Sequence, residues 1–207
     1  MSDDNADLTS LATQTRDIYE RNADKFVAQR SKSKIEAAWL DRFLGLLPPA
    51  PAILDMGCGA GLPIAAHLLD QGAQVTGIDA SPKLIAMAQQ NLPQGNWHLA
   101  DMRAMDMPEK FDGIVGWNSF FHLTKTEQRT LLPQLAGHLK PKGALLLTVG
   151  PQEGEVVGQV GDDPIYHASL SPDEYKDRLA ACHMSVVDFV PEDPDCFGLT
   201  LLLAQKN

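Results

Sequence analysis

Ile53-Leu54-Asp55-Met56-Gly57-Cys58-Gly59-Ala60-Gly61-Leu62-Pro63 is the stretch from which the fold can be read. An apolar run ends in an acid, three glycines alternate with small residues, and helix-compatible sequence follows. That order predicts a buried strand, a loop bare of side chains and the start of a helix. Such a loop lets a cofactor lie against main chain, because glycine has no Cβ to block the approach and a helix N-terminus offers unpaired amides. The spacing departs from the dinucleotide fingerprint G-x-G-x-x-G. Gly61 comes one place early, and Leu62 stands where the dinucleotide glycine would be. Asp55 would repel a phosphate, and it suits a cationic amine or a nearby sulfonium instead.

Downstream segments repeat the pattern of an apolar run closed by a polar residue. Gln74-Val75-Thr76-Gly77-Ile78-Asp79 is a second strand ending in an acid. Asp79 falls about 20 residues past the loop, the separation at which a second-strand carboxylate takes both hydroxyls of a ribose. Trp97-His98-Leu99-Ala100-Asp101-Met102 ends in a third acid, and Phe111-Asp112-Gly113-Ile114-Val115-Gly116-Trp117-Asn118 ends in a polar and aromatic cluster. Open α/β sheets bind ligands at the edge where such strand ends gather.

Strands at 74–79, 97–100, 113–117 and 144–149 alternate with helices at 82–91 and 126–139, which predicts a parallel sheet with crossovers. Pro63 fits the first turn of the helix after the loop, and Gly72 is its expected C-terminal cap. Residues 9–43 carry apolar positions near helical spacing, among them Ile18, Tyr19, Ala23, Phe26 and Val27. The proline-rich 48–51 closes that section. After a helix at 171–181, strands at 185–190 and 198–204 are separated by a connection too short for parallel neighbours, so they form an antiparallel hairpin. The glycine-rich segment 150–169 does not fit the alternation. It is expected to be a long loop that leaves the fifth strand and reaches over the cofactor site.

The chain's 207 residues suit one domain, with 1–48 as a helical lid or cap and 49–207 as the binding core. A net charge of −10 argues against a nucleic-acid partner, whose affinity rests on clustered Lys and Arg. Cys58, Cys182 and Cys196 are odd in number and scattered, so they suggest neither a disulfide framework nor a zinc site, and they point to a reducing cytoplasm. The stretch 1–7 is acidic with no apolar core, unlike a secretory signal. No apolar run approaches the ~18 residues of a membrane span.

As an ordered set, Leu54-Asp55-Met56-Gly57-Cys58-Gly59-Ala60-Gly61, Gly77-Ile78-Asp79-Ala80-Ser81, Ala100-Asp101-Met102 and Phe111-Asp112-Gly113-Ile114-Val115 resemble the motifs of the class I S-adenosylmethionine-dependent methyltransferases. The resemblance runs from about Tyr19 to the C-terminus. Leu139-Lys140-Pro141-Lys142-Gly143 is similar to the family's turn into its fifth strand, with Lys142 where a second glycine is more usual.

The resemblance implies an α/β fold: a seven-stranded, mostly parallel Rossmann-like sheet with helices on both faces and an antiparallel C-terminal hairpin strand. It implies S-adenosyl-L-methionine as cofactor and a small-molecule methyl acceptor; separately, no paired His and Cys spacing suggests a metal. It also implies a cofactor site built by Tyr19, Asp55, Gly57, Cys58, Gly59, Asp79, Ala80, Asp101, Met102 and Trp117. Asp79 would take the ribose. Asp101 would accept the adenine amine with Met102 behind the ring, and Tyr19 would fold over the methionine end. Asp55 either meets the methionine amino group or only caps loop amides; Trp117 is either pocket wall or catalyst.

His122 and His167 are the candidate general bases, because imidazole titrates near neutral pH. Against that stand a half-buried, hydrogen-bonded His122 that holds its loop and a plain loop residue at 167. The alternatives to a small-molecule enzyme are a methyltransferase acting on protein or RNA, a non-catalytic S-adenosylmethionine-binding module, and a nicotinamide-dependent oxidoreductase. Leu62 and the terminal hairpin disfavour the last. The acceptor and the oligomeric state are not legible in the sequence.

Overall fold

A computed structural model of the chain describes residues 3–29 and 35–207, with residues 3–7 described by their backbone alone. Its strands are β1 (Ala52–Met56), β2 (Gln74–Asp79), β3 (Asn96–Leu99), β4 (Phe111–Gly116), β5 (Leu139–Val149), β6 (Gly154–Val160), β7 (Asp163–Ser169), β8 (Met184–Asp193) and β9 (Leu199–Lys206). Among the described residues, seven of these form one sheet in the order β3-β2-β1-β4-β5-β9-β8. The pairs β1/β2, β1/β4, β2/β3 and β4/β5 are parallel, whereas β9 runs antiparallel to both β5 and β8. The order reverses between β1 and β4, and that switch point opens a crevice beyond the carboxyl ends of the strands.

The helices are α1 (Asp3–Thr13), α2 (Thr15–Gln29), α3 (Ala37–Leu44), α4 (Ile64–Asp70), α5 (Pro82–Asn91), α6 (Lys125–His138) and α7 (Pro172–Ala181). The central strands are near-continuous apolar runs because both sheet faces are covered. Alternate residues then point to opposite layers. Leu54, Ile114, Leu145 and Leu147 pack with Leu131, Leu135 and Leu179 of α6 and α7. Ile53, Val115, Ala144 and Leu146 pack with Leu40, Phe43, Leu68 and Ile85 of α3, α4 and α5.

Two expectations need correction. The segment 150–169 is not a loop, because β6 and β7 pair antiparallel from Gly154↔Ser169 to Val160↔Asp163. Its glycines serve the hairpin. Gly161 (φ 61°) begins the two-residue turn, a left-handed position suited to glycine. Gly158 makes room for the His167 ring, which a Cβ there would meet at 2.4 Å. The helical stretch expected over 9–43 is split, with α2 ending at Gln29 and α3 starting at Ala37; its part at 30–34 lies outside the described residues, as do Met1 and Ser2.

Smaller differences are at element ends. Pro63 caps α4 rather than opening it, and Gly72 (φ 85°) follows the Gln71 cap in the left-handed conformation. Lys142 also lies in that region (φ 64°), in the irregular first part of β5, at the position where the family more usually has a glycine.

The hairpin packs on the N-terminal helices. Tyr166 and Ala168 meet Ala12, while Val160 and Ile165 meet Ile18. Asp163 accepts from Arg21 Nε at 2.8 Å and Asn22 Nδ2 at 2.6 Å, and Lys25 pairs with Asp162 at 2.6 Å. Exposed ion pairs of this kind contribute little, so the apolar contacts carry the docking.

A buried polar joint ties the hairpin's end to the loop after β4. Gln128, fully buried, donates from Nε2 to Leu123 O at 3.0 Å and to Ala168 O at 2.8 Å, and its Oε1 accepts from Tyr175 at 2.6 Å. Gln128→Leu leaves two carbonyls and a tyrosine hydroxyl without that partner. The expected loss is about 2–4 kcal/mol, read from chemical denaturation midpoints.

Candidate functional site

The crevice over β1, β2 and β4 is an open cleft with about 900 Å³ of space between protein atoms, part of it open to solvent. Its floor is the turn after β1. Gly57 and Cys58 donate their amides to Ile78 O at 2.8 and 3.0 Å, which ties the glycine loop to the end of β2. Gly57 has φ 74°, and a Cβ on it would lie 2.4 Å from the Ser119 Cβ, so only glycine lets this turn sit against the loop after β4. Ser119 is fixed in turn by donating to Met56 O at 2.5 Å.

Asp79, at the end of β2, braces the floor from the side. Its Oδ2 accepts from Gly59 N at 2.9 Å and its Oδ1 from Ser81 N at 2.9 Å. Burial raises its pKa, and the amides of Ser81, Gly59 and Ala80 work against that rise. A carboxylate held by two amides keeps further lone pairs for a pair of vicinal hydroxyls. Ser81 also caps α5, accepting from Leu84 N and donating to Glu20 of α2 at 2.5 Å. Glu20 accepts from Lys83 N at 3.1 Å as well. The hydrogen bond from Ser81, then that from Lys83, lowers the Glu20 pKa, so the ionised acid holds the N-terminus of α5 to α2.

Beyond β3, Asp101 caps the short turn Met102–Ala104 by accepting from Arg103 N at 2.9 Å. The Arg103 side chain reaches Asp101 at 3.3 Å and Glu127 at 2.8 Å. Cys58 is buried, and burial ahead of the nearby Asp55 and Asp79 charges raises its thiol pKa well above the usual value. The thiol therefore stays protonated and is no nucleophile.

The opposite wall comes from α2 and the loop after β4. Tyr19 packs edge-on against Phe26 with ring centroids 5.1 Å apart, and its hydroxyl lies 2.9 Å from His122 Nε2. His122 Nδ1 lies 3.0 Å from the carbonyl of Tyr166 on β7. A carbonyl only accepts, so Nδ1 carries the hydrogen and Nε2 accepts from Tyr19. Burial pushes the His122 pKa down to about 3.

Between about pH 6.5 and 3, His122 therefore takes up its second proton in the unfolded chain but not in the folded one. Its contribution to stability is complete above about pH 6.5 and is lost as pH falls toward about 3, at up to about 1.4 kcal/mol per pH unit. His122→Gln is expected to flatten the decline in thermal midpoint between pH 6.5 and 5.

All the residues expected at the cofactor site line the cavity: Tyr19, Asp55, Gly57, Cys58, Gly59, Asp79, Ala80, Asp101, Met102 and Trp117. His122 joins them. His167 is one layer out, its ring packed on Phe121 and His122 at centroid distances of 4.6 and 4.9 Å. Burial lowers its pKa.

Phe26, Arg16 and Arg103 also line the cavity and were not picked out as site residues. In the sequence Phe26 reads only as part of an apolar helix face, and the arginines belong to no motif. The bracing acid Glu20, next to Tyr19, gives no sequence signal of its own.

An adenosyl sulfonium fits this donor set. The cradle is one that a Cβ would fill, and a carboxylate stands beside it. Trp117 Nε1 and Asn118 Oδ1 are buried on the cavity wall without a hydrogen-bond partner among the described residues. Asn118 is held at φ 50°, in a region that non-glycine residues enter mainly at functional sites and turns.

Comparison with known proteins bears on the same region. Residues 53–143 match a family described as a methyltransferase domain. The trans-aconitate 2-methyltransferase of Azoarcus sp. (strain BH72) is 36% identical over 103 residues, covering 49% of this chain and 40% of that protein. The dTDP-3-amino-3,6-dideoxy-alpha-D-glucopyranose N,N-dimethyltransferase of Streptomyces fradiae is 29% identical over 102 residues, covering 48% and 40%. The match thus spans two-fifths of the length of each relative. Among solved structures, the sugar N-methyltransferase KedS8 from Streptoalloteichus sp ATCC 53650 superposes with a TM-score of 0.72 at 20% identity, over 89% of this chain and 92% of that one. The SAM-bound amino pentose methyltransferase CalS10 from Micromonospora echinaspora gives 0.70 at 21%, over 87% and 93%. These structures share the fold.

Proposed function

We propose that the chain, whose residues 53–143 match a methyltransferase-domain family and whose fold is that of class I methyltransferase structures, transfers a methyl group from S-adenosyl-L-methionine to a small-molecule acceptor. The observation that carries the reading is Asp79, half-buried at the end of β2 and bonded to the amide of Gly59 across the cleft floor.

In this reading Asp79 holds the ribose. Asp101 and Met102 hold the adenine, with Ala80 beside it. Gly57, Cys58 and Gly59 offer main chain to the methionine end, near Asp55 and Trp117, and Tyr19 covers that end. The bound cofactor supplies a methyl group on a positively charged sulfur, a ready electrophile. The chain's own task is to align the acceptor with that methyl and keep water out. Helix α2 does so from above, because Tyr19 and Phe26 line the cleft while Glu20 ties the helix to α5. Residues 1–48 act as a lid on the core 49–207.

The relatives above are named as methyltransferases of trans-aconitate and of a dTDP-linked amino sugar, which supports a small-molecule acceptor. The chain's net charge of −10 supports a reading without nucleic acid. None of the described helices is long and apolar enough to cross a membrane. The unpaired Cys58, Cys182 and Cys196 support a reducing compartment such as the cytoplasm.

The test is calorimetric titration of the full chain with S-adenosylhomocysteine and, separately, with the nicotinamide dinucleotides. One-site binding of the first alone is expected. A folded sample that binds only a dinucleotide overturns the reading.

A further inference from the structure

His122 is the buried imidazole on the cavity wall, and both of its nitrogens are engaged. Nδ1–H donates to the Tyr166 carbonyl of the hairpin at 3.0 Å, and Nε2 accepts the Tyr19 hydroxyl hydrogen at 2.9 Å. The groups facing it are Tyr19 from α2, Tyr166 and His167 from β7, Arg103 from the turn after β3, and Phe121 from its own loop. Neither His167 nor Arg103 stabilises an imidazolium, and the ring is buried. A base must have a lone pair directed at the proton it takes. The Nε2 lone pair of His122 is directed at Tyr19.

The polarity of this chain of hydrogen bonds is fixed at its far end, because a backbone carbonyl cannot donate. The Tyr19 hydrogen is therefore committed to His122. Whatever else the phenol oxygen meets, it meets as an acceptor, and Tyr19 lines the cleft.

We propose that His122 is a positioning residue that acts through Tyr19, setting the phenol oxygen as a hydrogen-bond acceptor in the cleft, and that this polarity selects a neutral amine as the methyl acceptor. The proposal rests on the cleft holding S-adenosylmethionine. An amine brings the hydrogen that the Tyr19 oxygen accepts, whereas a carboxylate or thiolate presents only lone pairs to it. A neutral amine also needs no base during transfer. Its nitrogen lone pair forms the new N–C bond as the S–C bond breaks, the bonding pair stays on sulfur, and the resulting ammonium gives its proton to water. An alcohol would need its proton removed as the bond forms, and His122 is already occupied.

The hairpin that supplies the Tyr166 carbonyl thereby takes part in acceptor choice from outside the cleft.

The experiment has two arms, both on the full chain saturated with S-adenosylhomocysteine or S-adenosylmethionine. In the first, nitrogen-15 NMR follows histidine side chains from pH 8 to 5.5, with the His122 signals assigned from His122→Gln. The expected result is a neutral ring protonated on Nδ1 throughout, with an Nε2 resonance that shifts in Tyr19→Phe. An Nε2-protonated tautomer, or a midpoint near the ordinary 6.5, overturns the proposal.

The second arm measures S-adenosylhomocysteine release with aliphatic and sugar amines and their hydroxyl and carboxylate counterparts. The expected best acceptor is an amine, with kcat falling at least 10-fold in His122→Leu and recovering in part in His122→Gln. A carboxylate or alcohol as best acceptor overturns the proposal, as does a lack of turnover with every amine while S-adenosylhomocysteine binding is intact. Absence of S-adenosylhomocysteine binding would instead remove the underlying reading.

Discussion

Asp79→Ala is expected to weaken S-adenosylhomocysteine binding by at least about 100-fold in calorimetry while the chain stays folded. The side chain has two tasks. It accepts from Gly59 N and Ser81 N, joining the glycine loop to the start of α5, and in the proposed complex its remaining lone pairs take the ribose. Hydrogen bonds to a charged group are worth about 1.5–3 kcal/mol each, and removing the shared acceptor loses several together. Asp79→Asn is the sharper variant. It keeps the shape but sets an amide donor against Gly59 N–H or Ser81 N–H, so it is expected to be nearly as damaging as alanine. Burial raises the Asp79 pKa, so the alanine variant also sheds a desolvation cost and its thermal midpoint is expected to change little. Unchanged affinity in both variants would mean that no ligand group rests on this carboxylate.

Gly57→Ala is the second large effect. The residue sits at φ 74°, and its added Cβ would lie 2.4 Å from the Ser119 Cβ and 3.4 Å from the Met102 Cε. Ser119 cannot give way freely, because its hydroxyl is bonded to Met56 O. The combined strain and overlap are expected to cost about 2–4 kcal/mol of stability and to abolish S-adenosylhomocysteine binding. Gly137→Ala is the matched control. That glycine lies within α6 with open space around its would-be Cβ, so alanine there is expected to gain about 0.5–1 kcal/mol. Thermal or urea unfolding of the pair separates a glycine that the cleft requires from one that it does not.

Much of the site was legible because its residues stand at strand ends, where the alternation of apolar runs and acids announces them. Asp55 lies next to the end of β1, Asp79 closes β2 and Asp101 follows β3, so sequence position fixes their place at one edge of the sheet. The glycine loop is legible for the same reason. The hairpin 150–169 was hidden. Its four glycines outweighed the β-branched run Val156-Val157, and the two-residue turn Gly161-Asp162 was not recognised as a hairpin signal. Missing it also hid the partner of His122, since the Tyr166 carbonyl belongs to a strand read as loop. The Tyr19–His122 contact joins positions 103 apart and leaves no local pattern. Glu20 was invisible because an acid on an exposed-looking helix position has no signature until α2 is seen docked on α5. Lys142 shows the converse: at this irregularity of β5 the backbone keeps a left-handed conformation although the family's more usual glycine is absent.

The central claim is that an adenosyl sulfonium is held by bare main chain and one carboxylate at the carboxyl edge of the sheet. A crystal structure of the full chain with S-adenosylhomocysteine measures this directly. The expected result places the ribose hydroxyls within hydrogen-bond distance of Asp79 and the amino-acid end over the Gly57–Gly59 turn. An adenosyl group bound elsewhere, or Asp79 turned away from the sugar, would contradict it.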